Sequence, residues 1–132
     1  MISPKVYHKQ ISELGIEGMV VHAENADEAS DLLDELQNIE EILIRIRFNV
    51  RIDIRAIRKE YMEKIKNAEK SSETFNSKQK IEKSKLKEKK DLIIERDLKI
   101  ASYETIEHTV EDYLIQINNS KVYLDSIIRE GA

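Results

Sequence analysis

The stretch Ile42-Leu43-Ile44-Arg45-Ile46-Arg47-Phe48-Asn49-Val50-Arg51-Ile52-Asp53-Ile54-Arg55 carries two periods at once. Counted in twos, Ile42, Ile44, Ile46, Phe48, Val50, Ile52 and Ile54 alternate with mostly polar residues, the pattern of a half-buried strand rich in β-branched side chains. Counted in threes and fours, the same stretch belongs to a longer series: Leu36, Ile39, Leu43, Ile46, Val50, Ile54, Ile57, Tyr61, Ile65 and Ala68. The mean spacing of that series is about 3.6 residues, as one face of an α-helix requires. A strand needs a pairing partner, and only residues 19–22 have any strand character. The helix reading therefore prevails, and it makes this stretch the middle of one long helix.

Working outward, Asn25 followed three residues later by Glu28 forms a capping box, and Asp27, Glu28 and Asp31 suit the positive end of a helix. The spacing predicts a helix over about 26–70, roughly 65 Å long at the standard rise. A polar stretch at about 71–76 interrupts the beat, and Asn76 with Gln79 repeats the cap arrangement. A second helix is predicted over about 77–130. Within it Tyr103, Ile106, Val110, Tyr113, Ile117, Ser120, Leu124 and Ile127 alternate steps of three and four, the seam of a coiled coil, before Gly131 stops it. Residues 1–24 form a lead-in. Ser3-Pro4 starts a short helix carrying Val6, Tyr7, Ile11 and Leu14 up to Gly15, and residues 16–23 read as a strand or an extended segment. The fold class expected is all-α, a long antiparallel two-helix coiled-coil hairpin over residues 25–132 that assembles into a four-helix bundle.

With the turn near residue 75, facing residues should have numbers summing to about 150. Leu43 would then face Ile106, Val50 would face Ile100 and Ile57 would face Ile93. A second stripe, Ile44, Phe48 and Ile52, would lie beside Ile94, Leu98 and Ala101 at the same height. One hairpin leaves such a patch wet, so a partner is expected there, most simply a second copy in a homodimer. The alternative cover is the N-terminal lead-in.

Charge is sorted along the chain. Residues 1–43 hold ten acids against Lys5 and Lys9, residues 44–90 hold sixteen bases against seven acids, and residues 91–132 hold nine acids against four bases. A net charge of −4 thus conceals an acidic base and a basic tip. Arg47, Arg51, Arg55 and Arg58 align along one helix side as a candidate phosphate-binding stripe, with ion pairing to Glu95, Asp97 or Glu104 as the competing reading. Lys78, Lys80, Lys83, Lys85, Lys87, Lys89 and Lys90 make a second candidate phosphate-binding group at the tip, with Phe75 the lone aromatic there.

Catalytic chemistry finds no footing. There is no cysteine, the glycines at 15, 18 and 131 form no phosphate loop, and His8, His22 and His108 stand in no metal-ligand motif. Glu104 and His108 share a helix face as a solvent-side pair. The chain is therefore expected to be a non-enzyme without cofactor or metal. No apolar run approaches the roughly 20 residues of a membrane helix, and the N-terminus lacks an export-type apolar core, so a cytoplasmic setting without membrane contact is expected. The function expected is a helical interaction protein with a protein partner, foremost itself. A nucleic-acid-binding accessory using the lysines and the Arg stripe is the alternative.

Overall fold

A computed structural model describes residues 1–70 and 78–131, with side chains described outside residues 70–82. Three helices account for it: α1, Pro4–Ser12; α2, Ala26–Lys70; and α3, Lys78–Glu130. No strand occurs among the described residues, so residues 42–55 are helical and residues 16–23 form an irregular connection. The tip at 71–76 and the cap expected at Asn76 lie outside the described residues.

Local chemistry sets the helix starts. The Ser3 hydroxyl accepts from the Val6 amide at 3.3 Å, with Pro4 in the first turn. Gly15 follows α1 with φ +67°, a conformation that strains any residue with a Cβ. At α2 the Glu28 amide donates to the Asn25 side chain at 2.9 Å. The Glu28 carboxylate reaches back to the Glu24 amide at 2.9 Å, one residue beyond the box geometry the sequence suggests.

α2 and α3 pack against each other along their length. The seam buries Leu36, Leu43, Val50, Ile57 and Tyr61 from α2 against Ile100, Tyr103, Ile106, Val110, Ile117 and Leu124 from α3. Each fully buried aliphatic side chain contributes roughly 1.5–3 kcal/mol, which is what holds helices of this length together.

The register differs from the expected one. Glu69 pairs with Lys89 at 3.0 Å, Arg51 with Glu107 at 2.9 Å, and Lys121 with Glu40 and Gln37 at 2.8 and 2.7 Å. Numbers in these pairs sum to 158–161, not 150. Val50 is thus level with Val110, and Leu43 with Ile117. A slide of about ten residues equals three seam steps of three or four, so apolar still meets apolar and the heptad pattern cannot tell the two alignments apart. The base decides: a Cβ on Gly131 would stand 3.2 Å from the Cβ of Ala26, so the start of α2 and the end of α3 are flush. α3 is 53 residues long and α2 is 45, and the surplus falls at the other end. Lys89 lies opposite the last turn of α2, so the turns of α3 before it continue past that end.

Nine residues are too few for a stable isolated helix, and α1 is held by tertiary contacts. Tyr7 and Ile11 are buried, as are Ile16 and Ala23 beyond them. The Tyr7 hydroxyl donates to the Asp53 carboxylate at 2.5 Å, the Tyr103 hydroxyl donates to the Ile2 carbonyl at 2.7 Å, and the two rings meet edge to face at 6.2 Å. From this mid-hairpin anchor the chain descends toward the base, where Val21 lies near Gln116, Asn119 and Tyr123. Burial and the Asp53 carboxylate push the Tyr7 hydroxyl pKa well above its ordinary value, and burial followed by the Asp53 charge raises that of Tyr103.

A neutral Tyr7 is favoured in the folded state, so its contribution to stability is complete below about pH 10 and is lost as the pH climbs above that value. Tyr7→Phe, which strands the buried Asp53 carboxylate, is expected to lower stability at pH 7 by about 1–3 kcal/mol. The variant should also lose less stability than wild type between pH 9 and 11.5, as urea unfolding followed by circular dichroism would measure.

Candidate interaction surface

The segment 1–25 covers one side of the lower hairpin and leaves another open. On the open side Arg51, Ile54, Arg55 and Arg58 of α2 share a groove with Glu104, Glu107 and His108 of α3. Nearer the tip the groove continues between Arg58, Met62 and Ile65 on one wall and Asp97, Ile100 and Ala101 on the other. Both stretches are lined by α2 and α3 alone. The upper one has a volume of about 780 Å³, within the range of ligand pockets, but charged residues make up most of its lining.

Residues seven apart on a paired helix share a column. Phe48, Arg55 and Met62 form one such column and Ile44, Arg51 and Arg58 its neighbour; on α3, Ile94 precedes Ala101 by the same interval. The groove thus extends the open face to Ile44, Phe48 and Ile94, while Ile52 and Leu98 fall in adjacent columns that line neither stretch. These are exposed: Ile44 42%, Phe48 63%, Ile52 45%, Ile94 59% and Leu98 67%, with Met62 at 51% and Ala101 also exposed. Ile115 and Val122 are exposed on α3 as well, Ile115 beside Val21 and away from the groove.

Two expectations need correction. Ile44, Phe48 and Ile52 do not sit at the height of Ile94, Leu98 and Ala101, because the register places Leu98 level with Tyr61. Phe48 and the level of Leu98 are separated by about 20 Å along the axis. The lead-in does not cover these residues either; it is drawn to the other side by Tyr7, Asp53 and Tyr103. Met62 is a member of the open face that sequence reasoning missed. Its spacing of fourteen from Phe48 was the available signal.

The Arg stripe is divided in its bonding. Arg51 bridges Glu107 at 2.9 Å and Glu111 at 3.6 Å, different acids from those expected, since the slide in register brings later residues of α3 alongside. Arg55 and Arg58 face Glu104 across the groove without an ion pair among the described residues, and Arg47 is half-buried. Of the lysines, Lys89 is engaged with Glu69, while Lys83, Lys87 and Lys90 are exposed and Lys85 is half-buried. The side chains of Lys78 and Lys80 lie outside the described residues. Tyr61 is buried beneath Lys64 and Lys99, whose ammonium groups lie 4.7 and 5.3 Å from its ring centre.

His8, His22 and His108 are all exposed and dispersed, and no metal-holding cluster of His, Asp or Glu occurs among the described residues. No described helix is long and apolar enough to cross a membrane. No protein-family profile matches the sequence, and no curated protein or solved structure is significantly similar to the chain.

The Arg51 pair is half exposed on the Arg side, so solvent screening limits its worth. Arg51→Ala is expected to change unfolding free energy by less than about 1 kcal/mol in chemical denaturation. A larger loss would mean that the stripe is a structural strut and not a surface feature.

Proposed function

We propose that the chain is a non-enzymatic helical assembly protein that self-associates through the open face of the hairpin, with Ile44, Phe48, Ile52, Ile94, Leu98 and Ala101 as its contact residues. One observation carries this reading: the lead-in buries Tyr7, Ile11, Ile16 and Ala23 against one side of the hairpin, while Phe48 of α2 and Ile94 and Leu98 of α3 remain more than half exposed. Large apolar side chains grouped in this way mark interaction sites on soluble chains. A second hairpin supplies matching helix faces and converts two pairs of helices into a bundle with a larger core.

The nucleic-acid reading is kept because of the overhang of α3. Lys83 and Lys87 sit exposed on turns of α3 beyond the level of Glu69, where their ammonium groups are available to phosphate contacts.

Multi-angle light scattering at micromolar concentration is expected to give a dimer mass for the wild type. Phe48→Asp should give a monomer with its helical circular dichroism retained; a monomeric wild type would sink the proposal. For the second reading, replacing Lys83, Lys85 and Lys87 by Glu should abolish any binding of random-sequence RNA or DNA at physiological salt while helical circular dichroism is retained. Fluorescence anisotropy would report it.

A further inference from the structure

We infer that the two copies pair antiparallel across the open face, about a two-fold axis near Arg55 and Glu104, so that the basic end of each lies over the acidic base of the other. The inference rests on the self-association reading and adds the arrangement, the contacting residues and an occupant for the overhanging lysines.

The axial offset between the two apolar groups is the first argument. Side by side on one hairpin they would form one central patch; about 20 Å apart they form two, one on either side of a charged middle. Along α2 the columns read Ile44 and Phe48, then Arg51, Arg55 and Arg58, then Met62. Along α3 they read Ile94 and Ala101, with Leu98 in the adjacent column, then Glu104, Glu107 and His108. A face that is apolar, charged and apolar along its length is complementary to its own reverse. A two-fold axis at Arg55 sets Phe48 of one copy against Met62 and Leu98 of the other. The same operation brings Arg58 level with Glu107 of the second copy, and Arg58 has no ion pair of its own among the described residues.

Charge is the second argument. Divided at the level of Arg55 and Glu104, the base half, residues 1–54 and 106–132, carries sixteen acids and seven bases. The tip half, counted over residues 55–70 and 78–105, carries fifteen bases and nine acids. Parallel pairing stacks like on like in both halves, and antiparallel pairing stacks opposites. Residue detail agrees. The column of Phe48 continues toward the base through Glu41 and Asp34, and the column of Ile94 continues toward the tip through Lys87, all three exposed. The axis at Arg55 brings Lys87 of one copy between the levels of Asp34 and Glu41 of the other. An isologous contact of this kind is closed, so assembly stops at the dimer.

The chain has no cysteine, so single cysteines report contacts without background. Within one chain, residues 41 and 87 are about 45 Å apart along the axis and cannot be bridged by a short spacer. Glu41→Cys and Lys87→Cys variants, mixed and treated with a short bismaleimide, are expected to give a covalent dimer containing one of each. Neither alone should cross-link efficiently, whereas Arg55→Cys alone should. Efficient cross-linking of Glu41→Cys to itself and of Lys87→Cys to itself would mean parallel pairing. That result would overturn the arrangement while leaving self-association intact. A dimer mass by light scattering with none of these cross-links would also overturn it, since the open face would not be the interface. A monomer mass would remove the arrangement together with the reading beneath it.

Discussion

Everything else in this molecule depends on how α2 and α3 are aligned along their shared seam. Two long amphipathic helices can slide by whole seam steps and still bury apolar against apolar, so side-chain hydrophobicity alone leaves several alignments close in energy. What separates them is the set of contacts that do not repeat every heptad. Ala26 and Gly131 meet closely at the base, and Lys121 reaches both Glu40 and Gln37. Because the helices start flush and differ in length, the surplus of α3 is delivered to the basic end. An alignment centred on the turn would have put most of that surplus at the base and would have merged the exposed apolar residues into one patch.

The second constraint is polar. Asp53 is a buried carboxylate on the shoulder of the seam, and its desolvation is tolerable because the Tyr7 hydroxyl donates to it. Together with the bond from Tyr103 to the Ile2 carbonyl, this orients the N-terminal segment toward one side of the hairpin. A purely apolar lead-in would have had two comparable places to lie. The polar anchor makes the molecule two-faced: one side is finished by its own chain, and the other keeps Ile44, Phe48, Met62 and Ile94 in solvent.

Segregated charge then acts on a surface already defined by packing. Exposed pairs such as Arg51 with Glu107 contribute little to folding, and the fold does not need them. Their use is directional. An acidic base and a basic tip distinguish one orientation of a neighbour from its reverse, which apolar contacts between similar helix faces do poorly. The proposed dimer and the proposed phosphate contacts draw on the same basic end, so the exposed lysines of α3 are where the two functional readings compete.

Much of the architecture was legible in the residues themselves. Period 3.6 beat period two in residues 42–55 because no other segment offered a strand to pair with. Ser3-Pro4, Asn25 with Glu28, and Gly131 marked helix ends through backbone groups that must be satisfied locally, and the exposed character of Phe48 and Leu98 followed from their place off the seam. The sequence by itself determined the helices, their caps and which residues lie on the seam, since these depend on chemistry within a few residues. Only the tertiary structure decided the register, the side on which the N-terminal segment lies, the pairing of Tyr7 with Asp53 forty-six residues away, and hence the separation of the exposed apolar groups. Those features arise from contacts between distant parts of the chain, and a repeating heptad pattern gives the same local signal for each of the alternatives.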